Sequence, residues 1–360
     1  MALCRSGFEP EAAEHFRFVA CNPRASTRTT APGGCGYVVA TTSCDVRTFE
    51  RAWRAQPPIF IRSALIGTGP VSLAARGAEG AEKSRLDRVA PALEAIASLA
   101  LHPSQQPPWC SVWVEYGDTN EGRGLSPLAR ALQPRIEAEL IKRGLLDSAV
   151  KRRLHVFLVD GAHAYLGTSG VDTGSPWPLG IPRLSMPGRA PSRATLKLAE
   201  AFATFLGDDQ ARLLRPDMRA VDLGAAPGGS TWQLAQRGIK VTAVDNGPLK
   251  GDVANDPLVT HLRADGLTFR PRKPVDWLVC DIVMQPIRIG ELVANWIARG
   301  DARRAIFNLK LPMKKRYDEV RRCEERIRDI LGRAGQRHTL VLRQLYHDRE
   351  EVTGYLVRPT

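Results

Sequence analysis

The run Asp222-Leu-Gly-Ala-Ala-Pro-Gly-Gly-Ser-Thr-Trp232 stands between a short apolar segment, Arg219-Ala-Val-Asp222, and the amphipathic Gln233-Leu-Ala-Gln-Arg237. The succession reads as a strand, a glycine-rich turn and a helix start. Gly224, Gly228 and Gly229 remove side-chain bulk where backbone turns sharply or approaches a ligand, and Pro227 stiffens the loop through its fixed φ. The first amides of the helix that follows have no intrahelical partner, so the turn suits a nucleoside-bearing cofactor. Its spacing is neither the GxGxxG of dinucleotide sites nor the GxxxxGK(S/T) of nucleoside triphosphatases, which disfavours hydride and phosphoryl transfer.

Three further segments end in acids. Lys240-Val-Thr-Ala-Val-Asp245 places a carboxylate 21 residues beyond Gly224, where it can bind ribose hydroxyls. His261-Leu-Arg-Ala-Asp265 offers an acid to the base edge of the same nucleoside, and Asp276-Trp-Leu-Val-Cys-Asp281 supplies a fourth strand with a terminal acid. Open α/β sheets bind ligands beyond the carboxyl edges of their strands, so the ordered series points to one crevice. Turn capping is the plainer reading of Asp222, Asp245 and Asp265 taken singly, since all three precede turns.

The chain has 360 residues, enough for two domains with substantial cores. Its 51 Lys and Arg against 38 Asp and Glu favour a polyanionic partner, with solubility as the plainer account. Cysteines at 4, 21, 35, 44, 110, 280 and 323 form no CxxC pair, which argues against a disulfide framework and a structural zinc site; no metal is expected. Neither a signal-like opening run nor an 18-residue apolar segment occurs, so a cytoplasmic protein with no membrane association is expected.

From about residue 190 helices and strands alternate, the pattern of a doubly wound, mostly parallel sheet with one reversed edge. His338–Tyr346 and Val352–Arg358 fit an antiparallel hairpin on it. Upstream, residues 1–50 carry a helical segment at Glu9–Phe16 and an apolar run at Gly36–Ala40. Residues 51–170 alternate strand-like Pro58–Ile61, Trp109–Tyr116 and Leu154–Val159 with helix-like Arg85–Ala100 and Ser126–Gly144. Residues 171–189 are rich in breakers and read as a linker or substrate-facing loop. Lys142-Arg143 and Lys151-Arg-Arg153 suit phosphates or plain solvation, and Trp109 and Trp113 suit a core better than base stacking.

Four polar groups stand near element ends: Lys197, Asp281, Lys310 and Glu350. Lys310 interrupts an apolar strand that Pro312 soon ends, where an unpaired buried ammonium is costly. Snorkelling, helix solubility and edge exposure are the plainer accounts of Lys310, Lys197 and Glu350 respectively. Taken together, the Gly-Ala-Ala-Pro-Gly-Gly loop, Ser192-Arg-Ala-Thr-Leu-Lys197, Asp281, Asn308-Leu-Lys310 and Arg349-Glu350 resemble the Lys-Asp-Lys-Glu class of S-adenosylmethionine-dependent RNA ribose 2'-O-methyltransferases. Within that class, Asp245-Asn-Gly-Pro248, Phe307–Tyr317 and His347-Asp-Arg-Glu-Glu-Val352 are similar to the bacterial RlmM family. The likeness extends upstream through Cys4–Phe8 and Val114–Asn120, so it covers nearly the whole chain.

The resemblance implies an α/β fold. A Rossmann-like methyltransferase sheet with an antiparallel terminal hairpin would occupy 190–360, preceded by a smaller α/β THUMP-type RNA-binding region at 51–170 with which 1–50 associates. It implies S-adenosyl-L-methionine as cofactor, lined by Ser192, Gly224, Ala226, Pro227, Gly228, Gly229, Asp245, Asp265 and Asp281. It makes Lys310 the candidate proton acceptor, with Lys197, Asp281 and Glu350 around it. The implied substrate is a cytidine ribose of 23S rRNA before complete ribosome assembly, with no obligate protein partner. Asp281-Ile-Val-Met-Gln-Pro286 departs from the class in lacking an acidic and basic pair. A base methyltransferase would keep the same cofactor loop, and an RNA-binding assembly protein would need no turnover at all.

Overall fold

In the computed structural model, which describes residues 1–19, 27–74, 87–170 and 173–359, the chain divides into two units, residues 1–181 and 182–360. The first opens with β1 (Ala2–Cys4), α1 (Glu9–Val19), β2 (Thr27–Thr30), β3 (Tyr37–Thr42), α2 (Val46–Ala55) and β4 (Ile61–Ala64). These strands form a sheet in the order β2-β3-β1-β4. Because β1 pairs antiparallel with β3 on one side and β4 on the other, this sheet runs past residue 50.

A second sheet, ordered β5-β8-β7-β6, is built from β5 (Ile66–Ser72), β6 (Val112–Tyr116), β7 (Arg153–Leu158) and β8 (His163–Ser169), with α3 (Val89–Ala100), α4 (Asn120–Arg123) and α5 (Ser126–Lys142) between them. Leu93 and Ile96 of α3 and Leu132, Ile136 and Leu140 of α5 recur at helical spacing and share one core with Leu154, Val156 and Leu158. Trp109 is fully buried in that core, while the Arg153 guanidinium lies 3.4 Å from the Trp113 ring centre. The Gln133 amide of α5 accepts from the Val114 amide and donates to the Val112 carbonyl, satisfying exposed groups of edge strand β6. Buried His155 bridges Glu115 (2.5 Å) and Ser169 (2.7 Å), tying β6, β7 and β8 together. Arg85 and Leu86 of the expected helix, Val171 and Asp172 of the breaker-rich stretch, and Cys21 lie outside the described residues.

The second unit is a Rossmann-like α/β fold built on one seven-stranded sheet. It comprises α6 (Ala194–Leu206), α7 (Gln210–Leu213), β9 (Arg219–Leu223), α8 (Gly229–Ala235), β10 (Lys240–Val244), β11 (Val259–Leu262), β12 (Val275–Cys280), α9 (Pro286–Arg299), β13 (Ala302–Lys310), α10 (Arg316–Arg333), β14 (Thr339–Arg343) and β15 (Glu351–Val357). The sheet order is β11-β10-β9-β12-β13-β15-β14. Strands β9 to β13 are parallel, and β15 is antiparallel to both β13 and β14. The reversed strand is therefore one position in from the edge, not the edge expected from sequence. Burial explains the placement: five successive residues of β15, from Val352 to Leu356, are buried, as in a strand covered on both faces, whereas β14 buries only Leu342. Gly354 makes the insertion possible, since a Cβ there would fall 2.3 Å from the Phe307 ring of β13. No helix among the described residues is long and apolar enough to cross a membrane.

Candidate active site

The glycine-rich turn lies at the carboxyl edge of the sheet. Gly224 leaves β9 at φ +76° and donates its amide to the Val244 carbonyl at 3.0 Å, and Gly228 reaches φ +114° before α8 begins. A Cβ on Gly229 would fall 2.3 Å from Ser192 Oγ and 2.8 Å from the Thr195 amide nitrogen, so only glycine lets this turn meet the start of α6. Asp245 follows β10 and holds the loop: Oδ2 accepts from the Ala226 amide (3.0 Å) and Oδ1 from the Gly247 amide (2.7 Å). The Pro227 carbonyl accepts from the Lys250 amide at 2.9 Å.

Asp265 is placed differently from the sequence expectation. Strand β11 ends at Leu262, and Asp265 sits three residues later as an exposed turn residue whose Oδ1 accepts from the Leu267 amide. Its local Asx-type turn competes successfully with extension of the strand. Asp222, by contrast, is fully buried. Burial pushes its carboxyl up to about 7, against the lowering hydrogen bond from Thr231 Oγ1 at 2.6 Å, with Asp281 adding a further push. Its other oxygen, Oδ1, and Ser192 Oγ are buried without a hydrogen-bond partner among the described residues. A carboxylate oxygen and a hydroxyl left without partners beside a glycine-rich turn fit a compact polar ligand such as the amino-acid and ribose parts of S-adenosylmethionine.

Asp281, directly after β12, joins two lysines and a glutamate in a ring of alternating charge. Lys310 Nζ lies 2.6 Å from Asp281 Oδ1 and 2.9 Å from Glu351 Oε1; Lys197 Nζ lies 2.6 Å from Glu351 Oε2 and 3.7 Å from Asp281 Oδ2. All four side chains are mostly buried but retain solvent access, between 14% and 23% exposed. Burial pulls the Lys310 ammonium down, but the charges and hydrogen bonds of Asp281 and then Glu351 outweigh it, leaving the group above its ordinary 10.5.

Glu350 does not belong to this ring. It is 58% exposed and pairs with Arg316 at 2.6 Å, while its backbone carbonyl accepts from the Leu311 amide. Successive strand residues point to opposite faces, and it is Glu351 that faces Lys310 in the β13–β15 register. The sequence reading places the acid one residue too early.

A supporting residue also escaped the sequence reading. Glu200, one turn beyond Lys197 in α6 and 1% exposed, accepts from the Tyr346 amide (2.7 Å), the His347 amide (2.8 Å) and His347 Nδ1 (2.6 Å). It therefore clamps the β14–β15 connection to the helix that carries Lys197. In that connection buried Asp348 accepts from the Leu345 amide and Thr353 Oγ1, and burial pushes its carboxyl up to about 8. Thr353 Oγ1 also reaches Asn308 Oδ1, two residues before Lys310. The signal available in sequence was a carboxylate at i+3 from Lys197 on an otherwise apolar helix face.

Residues 190–318 match the FtsJ-like methyltransferase family model, and residues 87–170 match that of the ribosomal RNA large subunit methyltransferase M N-terminal region. The ribosomal RNA large subunit methyltransferase M of Laribacter hongkongensis (strain HLHK9) is 46% identical over 356 residues, which covers 99% of this chain and 95% of that protein. The Cellvibrio japonicus (strain Ueda107) protein of the same name is 46% identical, with 98% and 97% of the two chains covered. That of Methylococcus capsulatus (strain ATCC 33009 / NCIMB 11132 / Bath) is 46% identical, with 99% and 97% covered.

Proposed function

Because the chain belongs to the ribosomal RNA large subunit methyltransferase M family, we propose that its C-terminal unit methylates the ribose 2'-oxygen of a cytidine in 23S rRNA. Family membership makes the chain an S-adenosylmethionine-dependent methyltransferase of that RNA; the ribose acceptor and the roles of individual residues are the further reading. The observation that carries it is the Lys197–Glu351–Lys310–Asp281 ring beside the glycine-rich turn. When bound, the cofactor supplies an electrophilic methyl group on a positively charged sulfur.

Ser192, Asp222, residues 224–229 and Asp245 hold the cofactor, and Asp265 reaches its base only from an exposed turn. The ring orients the acceptor. Transfer to the 2'-oxygen would require the hydroxyl proton to leave, and Lys310, as the neutral amine, would accept it. In the ring as it stands Lys310 holds its own proton at neutral pH, which it must first release to solvent. A positive charge brought beside Asp281 loosens that hold, in the direction an acceptor requires. Lys197 pairs with Glu351 and Asp281 from the other side of the ring and helps to hold both carboxylates in place.

The N-terminal unit completes the proposal as a THUMP-type RNA-binding region, acting in the cytoplasm before complete ribosome assembly and without an obligate protein partner. The test is transfer to unmodified 23S rRNA with mass spectrometry locating the methyl group. A cytidine 2'-O-methyl product is expected; a methylated base would overturn the ribose assignment, and no transfer by folded, cofactor-binding protein would overturn the catalytic reading.

A further inference from the structure

The crossover from β11 to β12, residues 263–274, contains no helix. One face of β9, β10 and β11 therefore borders a groove of about 820 Å³ instead of a packed helix. The register fixes what that face presents. Arg219 is the Cα partner of Lys240, and Thr242 is the partner of both Val221 and Thr260, so Arg219, Lys240 and the threonines share one side. The crossover lines the opposite wall with Arg270, Arg272 and Lys273.

Five exposed cations thus rim one groove, whose lining also includes the acid Asp217; Asp276 beside it accepts from the Arg219 backbone amide. Like charges directly opposite on neighbouring strands destabilise a sheet, yet Arg219 and Lys240 hold that position at the mouth of the groove. An anion between them relieves the repulsion. The floor is polar and apolar in turn, with Thr242, Thr260 and the partly exposed Leu262, and offers no cage for a single small ion. A row of cations along an open channel matches a phosphate backbone.

We propose that this groove binds the backbone of the substrate RNA at a distance from the reacting ribose. Arg219 and Lys240 begin the strands whose far ends lead into Gly224 and Asp245, roughly 16 Å away along five strand residues. The groove therefore lies outside the reaction centre and contributes affinity rather than chemistry. This inference rests on the reading of the chain as an RNA methyltransferase.

The test uses the full chain and unmodified 23S rRNA transcript. Arg270→Ala/Arg272→Ala/Lys273→Ala and, separately, Lys240→Glu are compared with wild type for RNA affinity across a salt series, for cofactor affinity, and for kcat and KM. Loss of three phosphate contacts should make the plot of log K against log salt shallower by about 2 and raise the RNA KM roughly tenfold. Cofactor affinity and kcat at saturating RNA should stay at wild-type values. Wild-type affinity and salt slope in both variants would overturn the groove, as would variants impaired only in binding a protein of the assembling large subunit. Absence of transfer by wild type itself would instead count against the RNA methyltransferase reading.

Discussion

Lys310 and Glu351 are Cα partners across the antiparallel β13–β15 pair, and their side chains meet at 2.9 Å on the face that also receives Lys197 and Asp281. Strand register, more than sequence proximity, decides which of two adjacent glutamates joins the ring.

Substituting the two neighbours separates them. Glu351→Gln removes a carboxylate that touches both lysines and should lower single-turnover methyl transfer by about 10²–10⁴-fold, in the range of acid–base and orienting groups. Glu350→Gln removes only an exposed pair with Arg316 and should leave transfer within about threefold of wild type. Equal losses in the two variants would contradict the assignment.

Lys310→Ala should suppress transfer by a similar factor of about 10²–10⁴ while cofactor affinity by titration calorimetry changes little. The pH profile distinguishes proton acceptance from mere orientation. Since Lys310 is held above its usual 10.5, the neutral amine is scarce at pH 7 and its fraction grows as pH rises. Wild-type kcat should therefore climb between pH 7 and 9. For stability the sign is opposite: the ion pairs of Lys310 contribute fully below its unfolded pKa and are lost as pH rises through the higher folded value. A flat rate profile would assign Lys310 to orientation alone.

Asp245 and Asp265 should differ sharply in titration calorimetry with S-adenosylmethionine. Asp245→Ala frees the amides of Ala226 and Gly247 and loosens the turn, weakening the cofactor by about 10–100-fold. Asp265→Ala disturbs one exposed turn and should cost no more than about threefold. The reverse ranking would show that the nucleoside lies against the β11 side of the sheet.

Glu200→Ala leaves two backbone amides and an imidazole without their buried acceptor, a loss of about 3–5 kcal/mol in unfolding free energy. Its catalytic signature is a drop in kcat with KM for RNA nearly unchanged, because the clamp sets the approach of β15 to α6 rather than any RNA contact. Glu200→Gln, which still accepts from an amide, should recover part of the rate; a variant that loses stability but keeps wild-type kcat would reduce Glu200 to a folding role.

The alternation of apolar runs and breakers from residue 219 onward made the parallel strands and the glycine turn legible, and Lys310 stood out as an ammonium inside an apolar strand. What escaped depends on pairing. The choice between Glu350 and Glu351 follows from where β15 begins against β13. The strand β8, His-Ala-Tyr-Leu-Gly-Thr-Ser, has no strong apolar run of its own and is specified by its antiparallel contacts with β7 and β5. Glu200 reads as a helix-surface acid until the β14–β15 connection is folded over it, and Asp265 reads as a strand end because its turn is set by local hydrogen bonds from Leu267, Thr268 and Phe269.

The insertion of β15 between β13 and β14 also means that the last strand of the chain supplies the ring's second acid. Strands β9 to β13 bring the glycine turn, Asp281 and Lys310 together, but the acid that links the two lysines arrives from 154 positions beyond Lys197. Residues 1–310 therefore carry the cofactor turn, Asp281 and both lysines but not the ring's second acid. Under the roles proposed above, a chain that ends before β15 keeps the cofactor turn and loses transfer.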